Sequence, residues 1–288
     1  MKKIIAFLLT ALMATSMVAC GSKQTVDTSL DDVINKGEIT VAISPDFAPN
    51  EFKDPNTGEI MGSDIYVAQY VADYLSKKYD KEINLKIEEM DLKTCQAAVQ
   101  AGSVDFSLNG YSATDDRKEN FYITGFYGKT ETSDSSYQGF LINEKDLDKF
   151  TTAESFDGAK IAVQLSSLQD NLISAQLPNS DTVPGSIEKE YVTKITDGAL
   201  YLADGRVDAL ATTSETGTLL MKNYPGLVMA KFRLDYSSEG QVALVNKKDV
   251  TLGDAVSEAI ADMVANTDWP QVRQEYTDKA AELGVTNE

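Results

Sequence analysis

The chain reads as an α/β protein made of two similar lobes around a cleft. Two observations predict this. Strand and helix patterns alternate from about residue 38 onward, which implies a mostly parallel sheet covered on both faces. The second half also restates the first. Gly37-Glu38-Ile39-Thr40-Val41 opens one unit and Gly158-Ala159-Lys160-Ile161-Ala162-Val163 opens a later one; Gly102-Ser103-Val104-Asp105 is matched by Gly205-Arg206-Val207-Asp208. At the second pair a helix ends, a glycine turns the chain and a strand begins. Chance likeness between ordinary α/β units competes with this reading, but two matches in the same order favour a repeated plan.

The elements follow in order. Lys2 and Lys3 precede an apolar run, Ile4 to Ala14, broken only by Thr10. That is too short for a membrane span of roughly 20 residues and fits a secretion signal. Met17-Val18-Ala19-Cys20-Gly21 resembles the lipobox of bacterial lipoproteins. In that family the signal is cut before the cysteine, which then carries lipid. Residues 1–19 are therefore expected to be a signal peptide, Cys20 the lipidated residue, and 20–29 a polar tether. An ordinary signal peptide with an incidental cysteine is the alternative; the absence of an Ala-x-Ala site speaks against it. Beyond the tether, Ile39, Val41 and Ile43 alternate as a strand does. Val67, Ala68, Val71 and Leu75 follow helical spacing after Asp64. Ile83, Leu85 and Ile87 alternate again, followed by a helix from Leu92 to Gln100 and a strand from Val104 to Leu108.

Composition narrows the function. Without residues 1–19 and their two lysines, 269 residues remain with 24 basic and 45 acidic side chains, a net charge of −21. So acidic a body argues against nucleic acid and against lying flat on anionic lipid, so the lipid on Cys20 would tether a soluble body. There is no histidine. That removes Ser-His-Asp and Cys-His catalysis and most transition-metal sites, and no metal or cofactor is expected. Cys95 shares a helical face with Leu92 and Val99, and reads as a buried small apolar residue rather than a nucleophile.

In open α/β sheets ligands sit at the carboxyl ends of the strands. The loops to inspect are therefore Ser44 to Glu51, Asn109 to Arg117, Ser166 to Gln169 and Thr212 to Glu215. Arg117, just after a strand, could grip a carboxylate with two parallel hydrogen bonds, or could pair at the surface with Asp115 or Asp116; both stay open. Ser112 could add a hydroxyl, and the Gly110 carbonyl could accept from an amine. Ser167 precedes a helix starting near Leu168, where an N-cap and an anion site can coincide. Phe47 could stack on a ligand or belong to the core.

Taken together, Ser-Pro-Asp-Phe-Ala-Pro-x-Glu-Phe from Ser44, Gly58 to Ile65 (Gly-x-x-x-Gly-x-Asp-Ile), Gly-x-Val-Asp, Ser-x-Thr-Asp-Asp-Arg from Ser112 and Val-Gln-Leu-Ser-Ser (163–167) resemble the family 3 extracellular solute-binding proteins, receptors of polar amino acid ABC importers. The likeness runs from about Leu30 to Val285. It implies a periplasmic-binding-protein type II fold whose two lobes close on ligand. With the echo and the polar, Ser-rich stretches near Ser133 to Gln138 and Leu234 to Gly240, it places lobe one at 30–133 and 238–288 and lobe two at 139–234. The resemblance carries the carboxylate-binding arginine onto Arg117, the hydroxyl onto Ser112, the amine acceptor onto Gly110, the stacking aromatic onto Phe47 and the amide-donating loop onto Ser167 and Leu168. Ser44, Asp46 and Asn109 complete the candidate wall.

Four departures stand out. The usual Gly-Thr of the amide loop is Ser166-Ser167, which leaves that loop's geometry open. The Asp that meets the ligand's ammonium in many members is Thr213. Glu215 either replaces it or forms a capping box with Thr212, the latter slightly preferred. The second aromatic of the ligand sandwich is Leu92, and the Phe usual after the Pro of the first loop is Asn50. The expected function is that of a monomeric, lipid-tethered receptor that passes a small carboxylated solute to a permease. Two other readings are carried. One is a cyclohexadienyl-dehydratase-like enzyme, for which Asp46, Glu51 and Glu215 are available acids; the other is a sensor lipoprotein without transport.

Overall fold

The computed structural model describes residues 26–128, 136–178 and 183–285. The signal sequence, Cys20 and the first part of both the tether and the Ser133 to Gln138 stretch, where the chain is expected to cross between lobes, lie outside the described residues. Among these residues no helix is long and apolar enough to cross a membrane.

The first half contains α1 (Ser29–Lys36), β1 (Glu38–Ile43), β2 (Asp46–Phe47), β3 (Glu51–Lys53), β4 (Ile60–Met61), α2 (Ser63–Tyr79), β5 (Asn84–Glu89), α3 (Leu92–Ala101), β6 (Phe106–Ser107), α4 (Asp115–Asn120) and β7 (Phe121–Ile123). The chain then builds β8 (Gln138–Asn143), β9 (Lys160–Gln164), α5 (Leu168–Gln176), β10 (Glu188–Val192), α6 (Ile195–Ala203), β11 (Ala209–Thr213), α7 (Ser214–Asn223) and β12 (Leu227–Leu234). It returns with β13 (Leu244–Asn246), α8 (Val250–Asn266) and α9 (Trp269–Leu283).

Two five-stranded sheets result, ordered β5-β1-β6-β13-β7 and β10-β9-β11-β8-β12. Their pairings correspond strand for strand: two parallel pairings about β1 and about β9, then two antiparallel pairings about β13 and about β8. In each sheet the fourth strand is the one that enters from the other half. The molecule thus has the two-lobed periplasmic-binding-protein fold.

The echo in the sequence has a physical basis. Asp105 accepts from the Thr40 N–H at 2.6 Å, and Asp208 accepts from the Lys160 N–H at 2.8 Å. The backbone N–H of each aspartate returns a bond to the carbonyl of the same partner. Each Gly-x-Val-Asp thus ties a helix exit to the start of the neighbouring central strand. Gly102 and Gly205 take φ of 68° and 71°, where only glycine is unstrained.

Helices form where the apolar stripe meets a sheet. Val67, Ala68, Val71, Ala72 and Leu75 of α2 pack with β1 and with α8 in one core. Strand β1 is buried at every position but its first, so the Ile39/Val41/Ile43 alternation reports only one of two covered faces. The expected strand over Val104 to Leu108 is shorter, since Val104 and Asp105 serve the turn. The second lobe has its own cores on either side of its sheet, one of which includes the tilted, touching rings of Phe140, Phe156 and Phe150.

Candidate functional site

A cavity of ≈ 980 Å³, its open mouth included, lies between the two sheets' strand ends. All twelve candidate residues border it: Ser44, Asp46, Phe47, Leu92, Asn109, Gly110, Ser112, Arg117, Ser167, Leu168, Thr213 and Glu215. Four loops, from Ser44 at one end of the sequence to Glu215 at the other, converge there because each follows a strand of one sheet or the other.

Arg117 dominates the site. Thr114 caps α4 by accepting from the Arg117 N–H at 3.3 Å, which sets the arginine inward in the first turn. Its guanidinium lies 4.7 Å over the Tyr111 ring and donates to the carbonyls of Ser112 (3.0 Å) and Ser166 (3.2 Å). It is 4 % exposed, and burial lowers its pKa. Asp115 instead pairs with Lys118, and Asp116 accepts from Asn120. Among the described residues no carboxylate forms an ion pair with Arg117. The surface-pair alternative therefore falls, and a buried guanidinium with no counter-anion among the described residues borders the cavity.

Ser167 and Leu168 meet Arg117 from the other lobe. Ser167 caps α5, accepting from the Asp170 N–H at 3.2 Å. Ser166 adopts φ 66°, so the serine takes the left-handed conformation suited to glycine, at a cost of about 1–2 kcal/mol. The Ser166 carbonyl then receives Arg117 and Gln96 across the cleft.

Several candidates border the cavity with their polar groups already engaged. Asn109 Oδ1 accepts from the Ser44 N–H at 2.6 Å, and its amide nitrogen reaches Ser107 and Tyr111. It pins β1 to β6. Ser44 donates to Asp46 at 2.7 Å. Asp46 also accepts from Gln164 Nε2 (2.9 Å) and the Ile195 N–H (2.7 Å), both in the second lobe. Burial raises its pKa while these bonds oppose the rise. Phe47, half-buried, packs on the second lobe's core beside β9 and α6.

Thr213 caps α7 by accepting from the Thr216 N–H at 3.1 Å. This corrects the preferred capping box: the cap is one residue later, and Glu215 is not its third member. Glu215 pairs instead with Arg273 of α9 at 2.5 Å. Arg273 also donates to Asn50 and, at 3.3 Å, to Ser63.

Arg273, Gln164, Tyr111, Asn50 and Gln241 also line the cavity and were not identified from sequence as site residues. Glu51 joins them, 1 % exposed and behind it Asp64, whose Oδ2 accepts from the Gly110 N–H at 2.6 Å. Burial first, then the carboxylates of Asp64 and Asp46, push Glu51 far above the usual carboxylate range. Burial raises Asp64 to about 6, against the pull of Gly110 and Arg273. Cys95 is buried and free, its thiol pushed up by burial to about 12.

Relatives share this plan. The chain is 23% identical over 276 residues to the arginine-binding extracellular protein ArtP of Bacillus subtilis, covering 96% of this chain and 98% of that one. It is 24% identical over 231 residues to a probable histidine-binding protein of Campylobacter jejuni, covering 79% and 80%. Among solved structures, an amino acid ABC transporter substrate-binding protein from Streptococcus pneumoniae, bound to L-arginine, superimposes with a TM-score of 0.73 at 25% identity, over 88% of this chain and 98% of that one. Residues 39–279 match the model of the bacterial extracellular solute-binding proteins, family 3, and the chain belongs to that family.

Proposed function

We propose that this protein is the lipid-anchored receptor of an ABC importer, held through Cys20 on the outer side of the cell membrane. It captures a small carboxylated solute, a polar amino acid or close relative, and hands it to a permease. The observation that carries the reading is Arg117, a buried guanidinium over the Tyr111 ring at the lobe junction, with no carboxylate partner among the described residues. A buried charge is expensive unless paired, and a ligand carboxylate supplies the pair. Ser112 and the helix start at Ser167 and Leu168 add donors to that anion. The Gly110 carbonyl accepts the amine, and Phe47 and Leu92 flank the aliphatic part. Capture needs no chemistry: ligand touching both lobes shifts the population toward the closed form.

The dehydratase-like reading draws on one observation, that Glu51 is a buried carboxyl at the cavity with a raised pKa. Incubation with a prephenate-like substrate is expected to show no turnover. Calorimetric titration of the full chain in detergent tests the main reading. Arg117→Ala should lower affinity for the best amino acid by about two to three decades, the ~2–5 kcal/mol of an unpaired charged contact. Arg117→Lys should recover part of it, since the bidentate geometry is lost. Arg117→Ala binding as tightly as the parent would remove the carboxylate from the proposal.

A further inference from the structure

Three buried titratable groups behind the cavity have no part in the amino acid reading. Glu51, Asp64 and Tyr127 are each 1 % exposed or less and lie against one another. The start of α2 puts them there. Gly62, at φ 139°, brings the backbone so close to the Asn50 carbonyl that no side chain would fit, and the Asp64 N–H donates to that carbonyl at 2.9 Å. The Asp64 carboxyl then lies under Gly110, accepting its N–H at 2.6 Å. Gly110 is itself fixed, since φ is 55° and a methyl group would lie 2.5 Å from Asn50 Nδ2.

The Gly110 N–H occupies Asp64 Oδ2. Asp64 Oδ1 and Glu51 Oε2 are buried without a hydrogen-bond partner unless the two carboxyls share a proton, and they stand close enough to do so. Two carboxyls held together in a dry site keep one proton between them. Asp46 of β2, Arg273 of α9 with Glu215 of α7 upon it, Tyr127 and Cys95 of α3 complete the charged and titratable surroundings. Burial pushes the Cys95 thiol to about 12 and the Tyr127 hydroxyl well above its usual value, so neither changes charge between pH 5 and 7.

We propose that Asp64 is a positioning residue for the ligand ammonium, acting through Gly110, and that ligand binding expels a proton from the Glu51–Asp64 pair. The inference rests on the amino acid reading, in which the Gly110 carbonyl accepts the amine. The bond to the Gly110 N–H holds the backbone that presents this carbonyl. The ionised carboxyl also places negative charge one residue behind the arriving ammonium. Opposite charges favour each other's ionised forms, so the ammonium loosens the proton of the pair. Glu51 borders the cavity, and the proton leaves to solvent there. Affinity is therefore weaker below about pH 6, where Asp64 is protonated, and stronger above it. The expected coupling is about tenfold, the size of one pKa unit for charges a residue apart in a partly screened site.

Calorimetric titration of the full chain in detergent with the twenty protein L-amino acids selects the tightest binder other than histidine, whose own ring titrates in this range. Its affinity for the parent should be about tenfold higher at pH 7 than at pH 5. At pH 5.5, titration in acetate and in MES, which differ in ionisation heat, should show net release of protons on binding. Asp64→Asn leaves Asp46 in place but has no proton to lose at this position. It should bind about tenfold more weakly than the parent at pH 7, match it at pH 5 and release none. Glu51→Gln cannot share a proton and offers Asp64 a donor instead, so it should keep its pH 7 affinity down to pH 5. A merely structural role would weaken both variants at every pH. A parent that binds without pH dependence or proton release, or an Asp64→Asn variant that keeps the parent's pH dependence, overturns the inference and leaves the amino acid reading standing. Absence of binding by every amino acid overturns both.

Discussion

Thr213 shows how one side chain can carry two duties at the lobe junction. It caps α7 through Thr216, and it stands where many relatives of this family place an aspartate. Aspartate caps a helix as well as threonine does, so Thr213→Asp should leave folding intact. The nearest alternative countercharge, Glu215, is already held by Arg273. An added Asp therefore meets an α-ammonium without rearrangement, and affinity for an amino acid should stay equal or rise. A clear loss in the same titration would mean that the ammonium does not sit beside residue 213. Arg117, Ser112 and Ser167 were legible in the sequence because their signals are local: a strand, then polar residues in the following loop. Arg273 was not. It acts on Glu215 from 58 residues away, through the docking of α9, and no short motif carries that. Glu51 was visible only as an acid in a loop; its burial comes from the packing of α2 and Asp64 behind it.

At the scale of elements, closure joins strand ends of one lobe to helix starts of the other. Asp46 of β2 accepts from the first N–H of α6 and from Gln164 at the end of β9. The carboxylate meets the positive end of a helix, which favours it. Thr216 of α7 adds a bond to the Ala48 carbonyl at 2.9 Å. These contacts link the two lobes directly, so they favour the arrangement seen here over one in which the lobes part. Asp46→Ala should lower affinity by about tenfold or more, equivalent to ~1–3 kcal/mol for a lost charged hydrogen-bond partner. Small-angle scattering with saturating ligand should show a larger radius of gyration than the parent. Unchanged affinity and an unchanged scattering curve would mean that Asp46 does not hold the lobes together. The repeated elements themselves were readable because each Gly-x-Val-Asp performs the same tie in its sheet. The latch was not, since Asp46 reads equally well as a residue aimed at ligand.

For the whole molecule, the buried acids set a pH dependence opposite to that of ordinary surface ion pairs. Glu51, Asp64 and Asp46 are all raised by burial, Asp64 to about 6 from 3.8. The native state therefore holds protons that the unfolded chain has released. Stability from Asp64 is fully present below about pH 4 and is lost as pH rises through about 6. About two pKa units correspond to ~3 kcal/mol. Asp27 works the other way: against burial, bonds from Thr251 and Ser29 hold it at about 2, so its contribution disappears only as pH falls below about 4. The two windows do not overlap. Repulsion within a chain of net charge −19 adds to the loss at higher pH. The melting temperature of the empty protein should thus fall by several degrees between pH 4.5 and 7, at roughly 2–4 °C per kcal/mol. Asp64→Asn keeps an acceptor for the Gly110 N–H but has no proton to lose, and should flatten that slope and gain stability at pH 7 relative to the parent. A parent whose melting temperature climbs steadily from pH 4.5 to 7, or an Asp64→Asn curve parallel to it, would show that the carboxyl pair is ionised at little cost in the folded state.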